Sequence, residues 1–260
     1  MLKEMGLTVW EPHSQPQGVQ EAFPGSPRPP LQEGGGATDT AQSRAASLEP
    51  AMQAVEAPVT VTRSHVGGVA SMGWPELREA VASCRACKLC EGRKKTVFGV
   101  GNERAHWMIV GEAPGEQEDL KGEPFVGKAG QLLDNMLSAV GLTRADADAQ
   151  HQVFIANTLK CRPPRNRNPE PDELAQCEPF LIRQIELVQP RIILAMGRFA
   201  VQSLLKSGDA IGRLRGRVHR YQGVPLVVTY HPAYLLRNPQ DKARSWEDLC
   251  LAANVAAQAA

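Results

Sequence analysis

Four short apolar runs constrain the fold of this chain more than any other feature: Trp107–Val110, Val153–Ala156, Ile192–Met196 and Leu226–Thr229. They recur at intervals suited to βα units. The segments between them have helical spacing. Leu132, Leu133, Met136, Leu137 and Val140 mark one apolar face. Leu174, Cys177, Leu181, Ile182, Ile185 and Val188 mark another, with Pro171 at its start and acids in its first turn. Ala200–Leu205 and Trp246–Val255 supply two more. Alternating strands and helices predict a parallel sheet with helices on both faces.

The first run opens directly into Gly111-Glu112-Ala113-Pro114-Gly115-Glu116-Gln117-Glu118-Asp119, a Gly-Pro-Gly loop loaded with carboxylates. An open α/β sheet places its active site past the carboxyl ends of its strands, where such a loop sits. A plain strand-to-helix turn explains the glycines equally well. Asn157 ends the second run and His231-Pro232 the fourth. Taken singly, the amide could cap a turn and the histidine could be structural. Taken together, Glu112, Asn157 and His231 fall on one rim of a parallel sheet, which gathers them into one crevice. Phe125 follows Gly122-Glu123-Pro124 on a loop, as a stacking platform for a base or as a cap on the core. Lys160, Arg162, Arg165 and Arg167 form one basic group on a predicted loop. Arg213, Arg215, Arg217 and Arg220 form another. They read either as a solvated face or as phosphate contacts around the rim.

Upstream the chain changes character. Residues 11–73 are dominated by Pro, Gly, Ser, Thr and Gln and cannot bury enough apolar surface to offset ordering entropy, so a disordered linker is expected there. The folded domain is expected over 74–260. The first 75 residues hold four Lys/Arg against seven Asp/Glu, and the rest 25 against 21. The whole is therefore nearly neutral and does not advertise nucleic-acid binding. No apolar run approaches the roughly 18 residues of a membrane span, and the N-terminus leads into no signal-peptide core. The expectation is a cytoplasmic protein. Its six cysteines then point to metal ligation or catalysis before disulfides. Cys84 and Cys87 form a C-x-x-C, and Cys161 and Cys177 follow further on. These spacings suit a structural zinc or an iron–sulfur cluster without choosing between them. Cys90 could be a fifth ligand, and Cys250 reads as core.

Three stretches carry a family resemblance: GEAPGEQEDLKGEPFVGKAGQLLDNML, IANTLKCRPPRNRNPEPDELAQC and TYHPAYLLRNP. Together with the four cysteine positions they resemble the family 4 uracil-DNA glycosylases, the bacterial and archaeal iron–sulfur type. The resemblance implies a three-layer α/β/α sandwich around a four-stranded parallel sheet. It implies a 4Fe–4S cluster on Cys84, Cys87, Cys161 and Cys177, with Cys90 spare. It also implies hydrolysis of the glycosidic bond of uracil in DNA by a bacterial cytoplasmic monomer. Family 1 enzymes carry an acidic residue where Ala113 stands and a thymine-excluding tyrosine where Gly115 stands. Glu112 is then the candidate for water activation, and Glu118 for guarding the C5 side of the base. Phe125 would stack on the base, Asn157 would read N3–H and O4, and His231 would stabilise charge on O2. Leu235, Leu236 and Arg237 would wedge into the gap left by a flipped base, with Arg162, Arg165 and Arg167 on the DNA backbone. The arginine-rich insert and nucleophilic histidine of the related uracil-crosslinking proteins are absent after Lys160. That favours turnover over the alternatives, covalent capture or a non-catalytic replication-associated scaffold.

Residues 1–10 stand apart. Leu2, Met5, Leu7 and Trp10 have helix-like spacing, and the stretch is similar to the N-terminal peptide of the bacterial polymerase III psi subunit, which docks on the chi subunit. The expectation is a docking peptide for a replisome partner.

Overall fold

A computed structural model describes residues 66–259. The expected docking peptide 1–10 and the linker up to residue 65 lie outside the described residues. In chain order the helices are α1 (Val66–Val69), α2 (Trp74–Ala82), α3 (Leu89–Gly92), α4 (Glu116–Lys121), α5 (Lys128–Ser138), α6 (Pro171–Val188), α7 (Arg198–Leu205), α8 (Ile211–Leu214), α9 (Pro232–Arg237) and α10 (Lys242–Gln258). The strands are β1 (Val100–Gly101), β2 (Trp107–Gly111), β3 (Phe154–Asn157), β4 (Ile192–Met196), β5 (Val218–Tyr221) and β6 (Val224–Thr229). Packing begins upstream of Trp74: Val69 is buried with Leu77, Val81 and Phe180.

The sheet has six strands in the order β1-β3-β2-β4-β6-β5. Its four central strands are the four apolar runs, all parallel. The two edge strands are antiparallel and carry no apolar run of their own. β1 is two residues long. β5 alternates half-buried and exposed positions and joins β6 through Gln222-Gly223, both at positive φ, as a two-residue hairpin turn requires.

Side chains alternate along the central strands, and both faces are covered. Ile109, Ile155, Leu194 and Val227 face one layer with Leu133, Met136 and Leu249 of α5 and α10. Met108, Phe154, Ile193 and Val228 face the other with Leu181, Ile185 and Val201 of α6 and α7. The register puts the strand ends level: Gly111 pairs with Asn157, Val110 with Ala195 and Met196 with Thr229. β2 is followed by a neighbour on one side and then by β4 and β6 on the other. That is the switch point where doubly wound sheets open a crevice. Among the described residues no helix is long and apolar enough to cross a membrane.

Candidate active site and cysteine-lined cavity

Glu112, Ala113, Gly115, Glu118, Phe125, Asn157 and His231 line one cleft of about 190 Å³ at that switch point. The β2 and β3 ends are tied together there. Thr158 and Leu159 donate backbone N–H bonds to Gly111 and Glu112, and Thr158 Oγ1 donates to the Glu112 carbonyl at 2.5 Å. Gly111 is required by close approach. A Cβ there would lie 2.4 Å from Asn157 Oδ1 and 2.6 Å from the Phe125 ring. Asn157 is buried, and its Oδ1 has no hydrogen-bond partner among the described residues. A buried acceptor left without a donor costs about 1–3 kcal/mol, so this amide is held ready for a ligand.

His231 is the N-cap of α9. Its Nδ1 accepts the Ala233 N–H at 3.1 Å, which leaves Nε2 as the donor of the neutral ring. Burial first, then Arg237, pushes its pKa down to about 4. The imidazole is therefore uncharged at neutral pH.

The acids of the loop have separate occupations. Glu118 Oε2 accepts the Gly115 N–H at 3.0 Å, and its Oε1 accepts from Val126 and Gly127 at 2.9 and 3.3 Å. Both oxygens thus clamp the loop, with the side chain on the wall of the cleft. Buried Asp119 accepts the N–H of Lys94 at 2.9 Å. Glu116 faces Arg162 at 3.6 Å. Only Glu112 is left for a ligand. Burial pushes its pKa up, and Arg198 opposes that shift.

Phe125 is pinned in a left-handed backbone conformation, φ 54°. Arg144 Nη1 donates to the Pro124 and Phe125 carbonyls, and Gly130 makes room, since a Cβ there would stand 1.7 Å from the Phe125 oxygen. The ring stacks on His231 with centroids 5.3 Å apart. One of its faces is therefore taken by the imidazole.

The proposed DNA contacts divide. Leu235–Arg237 are not a loop but the second half of α9. Helical geometry behind the His231 cap turns Leu235 into the core, fully buried, and leaves Leu236 44% exposed. Leu235 is thereby excluded as a wedge. Arg167 grips Glu173 with two bonds, at 2.9 and 2.6 Å, and Arg162 Nε donates to Asn166 at 2.8 Å. Arg165 is exposed, with no partner among the described residues. In the second basic group, Arg215 is bound to Asp248 and Glu247 of α10, and Arg220 lies on β5, capping the Gly223 carbonyl. A wider open groove continues from the cleft past Arg198, Phe199, Tyr234 and Arg237. Arg198 carried no signal in the sequence, because its place at the start of α7 is set by the sheet order.

Cys84, Cys87, Cys90, Cys161 and Cys177 line a second, apolar cavity. Burial pushes Cys177 up to about 12 and raises Cys87 and Cys161 as well. Arg93 Nη1 donates to Cys161 Sγ at 3.1 Å, and the Lys160 N–H to Cys177 Sγ at 3.3 Å. Among the described residues no three ligand side chains converge closely enough to hold a single metal ion. Cys250 sits half-buried on α10, apart from the cavity. The two sites share a wall, where Ala113 packs against the buried cluster of Leu89, Leu159 and Cys161.

An α/β/α sandwich with a neutral histidine, a free amide and a single uncommitted carboxylate at its switch point defines a small-ligand hydrolase crevice beside an open groove. The uracil DNA glycosylase superfamily model matches residues 98–252. The type-4 uracil-DNA glycosylase of Archaeoglobus fulgidus is 46% identical over 168 residues, covering 62% of this chain and 81% of that protein. The type-4 enzyme of Thermotoga maritima is 42% identical, covering 64% and 84%. A type-5 uracil-DNA glycosylase of Thermus thermophilus is 30% identical, covering 49% and 72%. This chain belongs to the uracil-DNA glycosylase superfamily, among the type-4 enzymes.

Proposed function

We infer that this chain hydrolyses the N-glycosidic bond of uracil in DNA, releasing the base and leaving an abasic site for repair. The observation that carries the reading is the unpartnered, buried Oδ1 of Asn157, level with Glu112 and His231 on one rim. Uracil offers N3–H as the donor this oxygen lacks, whereas cytosine offers only a lone pair at N3. The base must first leave the stack. Cleavage of C1′–N1 sends the bond's electrons into the base. Neutral His231 donates from Nε2 to the O2 on which that charge collects, a preorganised donor that needs no proton transfer. Glu112 holds the attacking water, takes its proton as oxygen bonds to C1′, and stabilises the positive charge on the sugar. Phe125 bounds the base pocket, and the groove past Arg198 and Arg237 takes the strand.

The cysteine cavity fits a 4Fe–4S cluster. Thiols placed around a space, and not at one point, suit a polynuclear group, and thiolates in so dry a cavity need cations beside them. Cys84, Cys87, Cys161 and Cys177 would hold it, with Cys90 on the cavity wall. Its iron would neutralise the thiolates and tie three distant segments together.

A uracil-containing oligonucleotide incubated with the full chain should acquire alkali-labile abasic sites, and the cytosine counterpart should not. Intact uracil-containing strands at stoichiometric enzyme would overturn the reading.

A further inference from the structure

A second open groove, of about 650 Å³, lies at the other end of α4 from the base cleft. Gly115 at the N-cap of α4 lines the cleft, whereas Lys121 and Gly122 at its C-terminus line the groove. Arg85, Arg93, Lys94, Lys95 and Lys121 converge there, and among the described residues no carboxylate lines it. By contrast, Arg162, Arg167 and Arg215 are each neutralised by a carboxylate. In the groove Arg93 donates to the Ala82 carbonyl and to Cys161 Sγ, and Lys95 to the Lys121 carbonyl. Exposed Arg85 and Lys94 have no ion-pair partner among the described residues. Lys121 alone meets an acid, Glu123 at 3.1 Å, and both side chains are exposed, where such a pair is worth little. Five cations in one concave surface repel one another and attract a polyanion.

The groove has a fixed backbone. Buried Asp119 of α4 accepts the N–H of Lys94 at 2.9 Å and that of Lys95 at 3.4 Å. The Val97 N–H donates to the Lys160 carbonyl at 2.8 Å, three residues past Asn157. Residues 94–97 are therefore fastened to the two segments that bring Gly115 and Asn157 to the cleft. Along the sheet, the groove past Arg198 and Arg237 belongs to the ends of β4 and β6. The basic groove is formed by the segment before β1 and the helix after β2. The cleft stands between the two.

We propose that this basic groove is a second phosphate site, which takes the DNA backbone on the opposite side of the cleft from the Arg198 groove. The proposal rests on the reading above, in which a DNA strand delivers its base to the cleft. The six residues of α4 span about 9 Å, close to three nucleotides of rise along one strand. The groove therefore grips the strand beyond the immediate neighbours of the flipped base, and it carries no part of the chemistry.

The test compares two triple variants of the full chain. Arg85→Gln/Lys94→Gln/Lys95→Gln removes three exposed charges and leaves Arg93, which touches Cys161, in place. Arg85→Lys/Lys94→Arg/Lys95→Arg keeps every charge. Each is read for melting temperature and for affinity toward a uracil-free strand of about 20 nucleotides across salt concentration. Single-turnover uracil release is measured on uracil-centred strands of about 5 and about 20 nucleotides, the shorter of which ends before the groove. In the glutamine variant, affinity for the long strand should fall about tenfold or more at low salt, and the slope of log affinity against log salt should become shallower by about two. The half-saturating concentration of the long substrate should rise in step. Release from the short substrate and the maximal release rate should keep their wild-type values. The charge-preserving variant should match wild type throughout. Wild-type affinity and salt slope in the glutamine variant would overturn the proposal. So would an equal loss on the short strand, or the same loss in the charge-preserving variant. If the glutamine variant does not fold, Arg85→Gln/Lys121→Gln, which leaves the Asp119-bound segment intact, is read by the same outcomes. A wild-type chain that binds the uracil-free strand but releases no uracil sinks the glycosylase reading alone, and the groove is then judged by affinity and salt slope.

Discussion

The base cleft and the cysteine cavity share the Ala113 wall and the Asn157–Cys161 segment, yet they are built on opposite terms. The cleft keeps polar groups buried or half-buried and uncommitted: among the described residues Asn157 Oδ1 has no donor and Glu112 no hydrogen-bonded cation. The cavity is walled by apolar side chains and thiols, and its two cations are turned onto sulfur and carbonyl. Unsatisfied groups destabilise the fold and recover that cost only when a ligand arrives. Thiols that meet across segments far apart in sequence recover theirs when a shared group crosslinks them. The difference predicts that damage to the cavity removes the protein, and damage to the cleft removes only the chemistry.

The largest effect should therefore come from the cavity. Cys84→Ala and Cys177→Ala should lose iron, visible colour and solubility together, while Cys250→Ala on α10 keeps all three. Metal analysis of anaerobically purified protein reads this directly. A soluble, colourless Cys177→Ala with normal activity would break the contrast. In the cleft, Glu112→Ala and His231→Ala should each slow uracil release by about a hundredfold or more, with melting temperature and DNA affinity largely kept. Full activity in both would remove the site assignment.

α9 carries the same contrast within six residues. Leu235→Ala should cost about 2–5 kcal/mol of stability, the usual range for a buried leucine. Leu236→Ala should change stability by less than about 0.5 kcal/mol and instead slow release from duplex DNA, as expected of an exposed apolar residue that fills the gap left by a flipped base. Denaturation curves and single-turnover rates on duplex separate the two. Equal stability losses would place Leu236 in the core as well.

The four parallel strands, and the rim residues Glu112, Asn157 and His231, were legible in the sequence, because a buried parallel strand writes itself as an unbroken apolar run and the residue after it must lie on the rim. The rest depended on distance. β5 is half-exposed and pairs through a hairpin, so it left no run to read. Leu235 and Leu236 are adjacent, and only the α9 backbone turns one inward. Arg167, Arg215 and Glu118 have the composition of ligand-binding groups, but partners close by on the folded surface claim them. Lys160 looked like one more basic loop residue. Its burial follows from Gln184 lying across from it on α6, 24 residues away.

The smallest effect concerns what Glu112 costs the fold. Burial raises its pKa, so between its unfolded and folded values the folded state binds the extra proton. Stability then falls as pH rises through that window, and at neutral pH the ionised carboxylate is a net burden. Glu112→Gln keeps the shape and removes the charge. It should melt higher than wild type by roughly 1–3 °C at pH 7, and the gain should vanish at a pH low enough to protonate the wild-type carboxyl. Catalysis must move the opposite way, because only the carboxylate can take a proton from water. The acid limb of the rate profile should therefore sit above the ordinary carboxylate range. It cannot belong to His231, which stays neutral down to about pH 4. Arg198 pulls the Glu112 pKa back down, so Arg198→Gln should shift the limb to still higher pH. A limb left in place by Arg198→Gln, or a Glu112→Gln variant that melts below wild type at pH 7, would show that this carboxyl is not the strained, uncommitted group on which the contrast between the two sites rests.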